Sequence, residues 1–305
     1  MVDNISPTVS IIIPVYNCEK YIEDCLRSVK NQTYQNIHVI IIDDNSNDKS
    51  NEIIKNFISN DFHFSYTFIV NKKNLGLSVS RNIGIKYVTQ DYIYFMDSDD
   101  IIPPYAIRCL VNLAIKYNNA EIIYGNHFKF NCSVSYFPYD KNNNSLKNIV
   151  GRNTITKYIF KEPKQTHTAW NQLIKTDWLI SNKLFFAKNI NNEDLCWNFF
   201  AVKKLKQIVC ADIITYYYRQ NVNGIMASMS SADYADNLEK IVKLWLQKTK
   251  CLSLSQIKYI LKKLHTIYIY RYNKIHENIY LGYFYTVLYL PFQICKLIKM
   301  KDSLN

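Results

Sequence analysis

Tyr92-Ile93-Tyr94-Phe95-Met96-Asp97-Ser98-Asp99-Asp100 is the stretch on which the fold turns. Five apolar residues in a row fit a buried strand. The run stops at three carboxylates within four residues, and Ile101-Ile102-Pro103-Pro104 follows. The acids therefore sit on a tight loop at the strand's C-terminal edge. Three like charges in one turn repel one another unless something neutralises them. A hard divalent cation with oxygen ligands does so, and Mg2+ or Mn2+ keeps positions open for phosphate oxygens. Standing alone, an Asp-x-Asp reads as a solvated acidic turn; the surrounding chain decides between the two.

Outward from this loop, apolar strands alternate with helical periodicity. Residues 9–13, 37–42 and 66–70 are strand-like, and helices are expected over 21–29, 53–58 and 77–88. Strands alternating with helices imply βαβ units, right-handed crossovers and a mostly parallel sheet flanked by helices, an α/β fold. Ligands of such sheets bind beyond the C-terminal strand ends. Asn17, Asp44 and Asp99 then converge on one edge. Asn17 is also a candidate N-cap for the first helix. Further on, a helix is expected to Tyr117 and a strand over 122–130. Residues 131–153 form a polar excursion, helices cover 170–179 and 191–202, and a strand covers 208–218. From Ser231 the texture changes to helices rich in Lys, Leu, Ile and Tyr. The expected division is a domain over 1–225, its halves meeting near residue 100, and a basic, aromatic-rich helical extension over 226–305.

The 305 residues carry a net charge of +12, and the segment from Lys203 to Asn305 holds +10 of it. A basic terminal third points to an anionic surface as partner. No nucleic-acid-binding module is recognisable, and the front two-thirds are nearly neutral. The eight cysteines form no Cys-x-x-Cys pair, which gives no support to zinc or redox motifs and suits a reducing cytosol. The amino terminus lacks the basic n-region of a signal peptide.

Four segments together resemble the family 2 glycosyltransferases: Ser10-Ile11-Ile12-Ile13-Pro14-Val15-Tyr16-Asn17, Ile42-Asp43-Asp44-Asn45-Ser46, Asn74-Leu75-Gly76-Leu77-Ser78-Val79-Ser80-Arg81-Asn82 and Asp97-Ser98-Asp99-Asp100. The resemblance covers residues 8–225 and implies the GT-A fold and inverting transfer from a nucleotide sugar. It implies that Pro14, Tyr16 and Asn17 frame base and ribose, and that Asp44 accepts the uracil N–H. It also implies that Asp99 coordinates Mn2+ or Mg2+, that Asp97 contacts the ribose or the metal shell, and that Asp100 stands behind them. An Arg beside a phosphate site makes paired charge-assisted hydrogen bonds, which suits Arg81, with Arg219 as a second diphosphate contact.

Glu193-Asp194 resembles a fifth motif of the family. Inversion needs one base opposite the leaving group, and Asp194 is the candidate, with Glu193 positioning it. An acidic helix N-terminus after Asn191-Asn192 is the plain alternative. His167 and Trp170 lie in the stretch resembling the acceptor region, where Trp can stack on a sugar. Family members often carry Lys where Gln172 stands here. Residues 278–295 are uncharged and rich in aromatics, and they precede Lys296, Lys299 and Lys301. With Asn278, Gly282, Pro291 and Gln293 inside it, the stretch reads as interfacial, not spanning; a helix packed on the domain is the alternative.

The resulting expectation is a bacterial enzyme, cytoplasmic and peripheral at the inner face of the cell membrane. It moves a hexose of the Glc, Gal or GlcNAc type from a UDP-sugar to an undecaprenyl-diphosphate-linked saccharide in O-antigen, capsule or lipopolysaccharide biosynthesis. A polyprenyl-phosphate glycosyl synthase is the rival enzyme, although a phosphate acceptor is already ionised and needs no base. A non-catalytic basic protein that binds membrane or nucleic acid is the rival of another class.

Overall fold

A computed structural model describes residues 6–131, 146–161, 168–221, 224, 229–249 and 252–272. The described elements run β1 (Val9–Val15), α1 (Ile22–Lys30), β2 (Ile37–Asp43), α2 (Ser50–Asp61), β3 (Ser65–Val70), α3 (Leu77–Lys86), β4 (Tyr92–Phe95), α4 (Ala106–Lys116), β5 (Ile122–Phe130), β6 (Leu146–Val150), α5 (Arg152–Lys161), β7 (Gln172–Lys175), α6 (Thr176–Ser181), α7 (Glu193–Ala201), β8 (Gln207–Arg219), α8 (Ser231–Lys248) and α9 (Leu254–Tyr272).

One sheet of eight strands in the order β3-β2-β1-β4-β7-β5-β8-β6 organises them. The first four strands are mutually parallel, with Ile12 opposite Ile40 in β2 and Phe95 in β4. Every residue of β1 and β4 is buried, which is why both read as continuous apolar runs. The chain winds from β1 outward to β3, then crosses back to lay β4 on the other side of β1. That reversal is the topological switch point, and a crevice opens there beyond the strand ends. Tyr16 and Asp97 follow the two strands that flank it. Helix α3 lies close on the sheet because Gly84 has no side chain: a Cβ there would stand 2.5 Å from Ile12 Cγ2. This close approach sets the depth of Arg81, one turn earlier.

The structure departs from the sequence reading in three places. Residues 172–175, expected to be helical, form β7, antiparallel to both β4 and β5, and only 176–181 is helix. The run is too short for periodicity to separate strand from helix. Residues 146–150 of the polar excursion form β6, an edge strand antiparallel to β8 with mostly exposed side chains. Its polarity reflects an edge position, not a loop. Asn17 does not cap α1: it takes φ +50° before the helix, whose N-cap is Tyr21.

The chain divides into two compact units. The first comprises Met1–Ile155, Glu162–Asn189 and Glu193–Asn221; the second comprises Thr156–Lys161, Ile190–Asn192 and Val222–Asn305. The first holds the sheet. In the second, α8 and α9 pack around the buried Trp245, whose ring lies 5.7 Å from that of Tyr259. Arg271 ties α9 to Asp236 and Glu239 of α8. Among the described residues no helix is long and apolar enough to cross a membrane. The 278–295 stretch lies outside the described residues.

Candidate active site

The loops after β1, β2 and β4 meet at the switch point. Asn17 and Ser46 join the first two: the Asn17 N–H donates to Ser46 Oγ (3.0 Å) and the Asn47 N–H donates to Asn17 Oδ1 (2.8 Å). Pro14 is buried in the strand, while Tyr16 is 43% exposed at its end. The two adjacent aspartates after β2 point apart, as neighbours on a strand do. Asp43 holds its own turn, accepting from the Ser46 hydroxyl and from Asn51. Asp44, expected at the uracil, accepts from Asn71 Nδ2 (2.7 Å), the Leu75 N–H (2.9 Å) and the Gly76 N–H (2.7 Å). It thereby fastens the loop that leads into α3, and three donors on a carboxylate leave room for one more.

Arg81 is the centre of the site. It is 2% exposed, and its fork reaches Asp97 Oδ1 (2.7 Å) on one side and Glu193 Oε1 on the other. The Phe186 ring lies 5.3 Å from its guanidinium carbon. Burial works against its charge, yet Asp97 and Glu193 outweigh burial and hold it protonated. The side chain expected at a phosphate joins the acidic loop to the start of α7, 112 residues away from Arg81 in sequence. Its Nε–H is buried without a partner.

Asp194 follows Glu193 and is half-buried. Burial, and after it the charge of Glu193, push its pKa up to about 7. Asp99 is raised as well, by burial and then by Asp97; Asn221 Nδ2 stands 3.2 Å from its Oδ2. Asp100 is fully buried and anchored by the Tyr216 hydroxyl (2.6 Å) and the Arg219 N–H (2.7 Å), so it braces the loop. Arg219 donates to the Asp99 carbonyl (2.8 Å), reaches Asp24 at 3.2 Å and lies against the rings of Tyr21 and Phe130. Trp170 stacks on Tyr216 and Tyr218. His167 lies outside the described residues.

The residues present fit a hard divalent cation. Burial and then the charge of Asp97 disfavour the ionised Asp99 carboxylate, which a bound cation would offset, and the nearby guanidinium of Arg219 goes to a carbonyl and to Asp24. Among the described residues no group of three or more His, Cys, Asp and Glu side chains is placed to hold a metal. Asp99 and Asp97 would thus be the protein's ligands, with other positions left for phosphate and water.

Sequence reasoning passed over Tyr216 and Asp24. Tyr216 was marked only by alternation along a strand; Asp24 carried no signal.

The model of the family "Glycosyl transferase family 2" matches residues 10–180, which is more than half of the chain. The chain belongs to glycosyl transferase family 2. An uncharacterized glycosyltransferase of Haemophilus influenzae is 34% identical over 203 residues, 67% of this chain and 75% of that protein. Glycosyltransferase GlyA of Streptococcus pneumoniae is 38% identical over 129 residues, 42% of this chain, and these span only 18% of GlyA. Among solved structures, Staphylococcus aureus TarS in complex with UDP-GlcNAc superposes with a TM-score of 0.66 at 19% identity, covering 87% of this chain and 73% of that one. The mannosyltransferase PcManGT of Pyrobaculum calidifontis, in complex with GDP-Man and Mn2+, gives 0.61 at 12% identity, covering 98% and 84%. These structures share the α/β architecture of this family 2 member.

Proposed function

We propose that this family 2 member is an inverting glycosyltransferase that moves a hexose from a UDP-sugar to the hydroxyl of a lipid-diphosphate-linked saccharide. The observation that carries the reading is the Arg81 bridge. It brings the acidic loop of β4 and the Glu193-Asp194 pair together in one buried ion network. A base beside a nucleotide-diphosphate site is what inversion at an anomeric carbon requires.

Tyr16, Pro14 and Asn17 frame the nucleotide, with Asp44 setting the neighbouring loop. Asp99 and Asp97 would hold Mn2+ or Mg2+. When bound, the cation neutralises charge on the departing nucleoside diphosphate. Asp194 takes the proton of the acceptor hydroxyl as that oxygen bonds to the anomeric carbon and the carbon–phosphate oxygen bond breaks. Glu193, held by Arg81, stands beside it, and after burial its charge raises the pKa of Asp194. Arg219 closes the site from β8. Trp170 lines the acceptor side. A hydroxyl acceptor needs such a base, whereas a polyprenyl phosphate does not. The +10 charge after residue 202 suits peripheral attachment to the inner membrane face, near a lipid-linked acceptor in O-antigen or capsule assembly. The nucleotide sugars bound by TarS and PcManGT support the donor class.

Thermal shift across UDP-sugars with Mn2+ tests the donor. Asp99→Ala should lose stabilisation by UDP with Mn2+. Asp194→Asn should keep it and lose transfer by about 10²–10⁴-fold. Full activity in EDTA would remove the metal, and retained transfer in Asp194→Asn would remove the base.

A further inference from the structure

Beside the acidic loop, β5 and β8 carry polar groups that the roles above leave unused. The two strands are parallel, with His127 opposite Tyr216 and Lys129 opposite Tyr218. Residues two apart on a strand share a face, so these four side chains stand on one face of the sheet. The Trp170 indole lies parallel to both tyrosine rings, at 4.5 and 5.3 Å between centroids, and the His127 ring meets it edge-on at 5.1 Å. At least one face of Trp170 is thereby covered, which leaves less of it for a sugar than its position in sequence suggests.

Tyr216 is committed to the Asp100 carboxylate and the Asp97 N–H. Tyr218, one step further along the strand toward the crevice, is not. It is half-buried, and its hydroxyl makes no hydrogen bond among the described residues. Its phenol stands near enough to Asp100, Asp97, Asp99 and Asp194 that, after burial, their charges raise its pKa. Lys129 is exposed, its ammonium 6.0 Å from the centre of the Tyr218 ring. No carboxylate pairs with it among the described residues. An uncommitted hydroxyl and an uncommitted cation thus stand together on the face that leads to Asp194. Gln172, where a charged contact is absent, is buried and donates to the Thr168 carbonyl, so Lys129 is a cation arriving from another strand.

We propose that Lys129 and Tyr218, backed by Trp170 and His127, form the acceptor subsite, and that it takes a saccharide bearing a diphosphate, with Lys129 on the anion and Tyr218 on a sugar hydroxyl. The inference rests on the glycosyl-transfer reading and names the groups that select its acceptor.

The test is calorimetric binding of two probes to the full chain loaded with UDP and Mn2+: decyl N-acetylglucosaminyl diphosphate and the neutral decyl N-acetylglucosaminide. A hydrogen bond to a charged group is worth about tenfold in affinity. The wild type should prefer the diphosphate by about tenfold, Lys129→Gln should abolish the preference, and Lys129→Arg should retain it. Tyr218→Phe should weaken both probes about threefold or more, with UDP affinity unchanged. Equal binding of the two probes by the wild type, or a preference that survives Lys129→Gln, overturns the subsite while leaving the donor reading intact. Failure of the wild type to bind UDP overturns the glycosyl-transfer reading and the subsite with it.

Discussion

Replacing Arg81 by Met removes the one cation that two acidic groups share. Arg81 is 2% exposed and Glu193 is 8% exposed at the side chain, whereas Asp97 is 26% exposed. Water can partly rehydrate Asp97, so the cost concentrates on Glu193. Removing one partner of a buried ion pair costs about 3–5 kcal/mol, because the other charge stays buried and uncompensated. For a unit of this size each kcal/mol lowers Tm by about 2–4 °C. Arg81→Met is therefore expected to melt about 10 °C lower at pH 8. Arg81→Lys keeps the charge but offers a single ammonium where a planar fork served two carboxylates, so about half the loss is expected. The deficit of Arg81→Met should shrink toward pH 5.5, where a buried carboxylate discharges by taking a proton. Differential scanning calorimetry of the three proteins at both pH values measures this, with UDP-sugar turnover recorded in parallel. Both variants should lose transfer by about 10²-fold, since a small displacement of the base geometry has that effect. An Arg81→Met protein that melts within about 2 °C of wild type at pH 8 and still transfers would refute the bridge as the organising element.

Three further outcomes are expected. Asp194 has a folded pKa of about 7, so transfer should rise with pH through about 7 and level off above it; a flat profile between pH 6 and 8 would exclude Asp194 as the titrating base. The same shift has a consequence for stability: burial favours the protonated acid, so its contribution is present below pH 3.8 and is lost as pH rises through about 7. Asp194→Asn should consequently be more stable than wild type at pH 8, by roughly 1–3 kcal/mol, and equal stability would contradict the buried charge. The full-length chain should sediment with anionic vesicles at low salt and release at high salt, each Lys or Arg near the surface contributing about 1 kcal/mol. Equal sedimentation with neutral vesicles would rule out attachment by charge.

The amino-acid sequence by itself determined the strand at Tyr92, the acidic loop after it and the alternation of strands with helices. These are local quantities: an apolar run, a cluster of charge and a period. They were enough to place Asn17, Asp44 and Asp99 on one edge, because a parallel α/β sheet puts its strand ends together whatever the loops contain. The antiparallel β7 and the edge strand β6 were not legible, since a four-residue run and a polar edge have no distinctive local pattern. Only the tertiary structure decided which partners the charged side chains have. Arg81 reads locally as a phosphate contact, but close packing of α3 through Gly84 sinks it between Asp97 and Glu193. Asp44 reads as a base contact, yet its carboxylate also fastens the Leu75-Gly76 loop. Lys129 reads as nothing in particular until the parallel register of β5 and β8 sets it beside Tyr218. Charge pairing depends on distance and on exclusion of water, and both are properties of the packed chain.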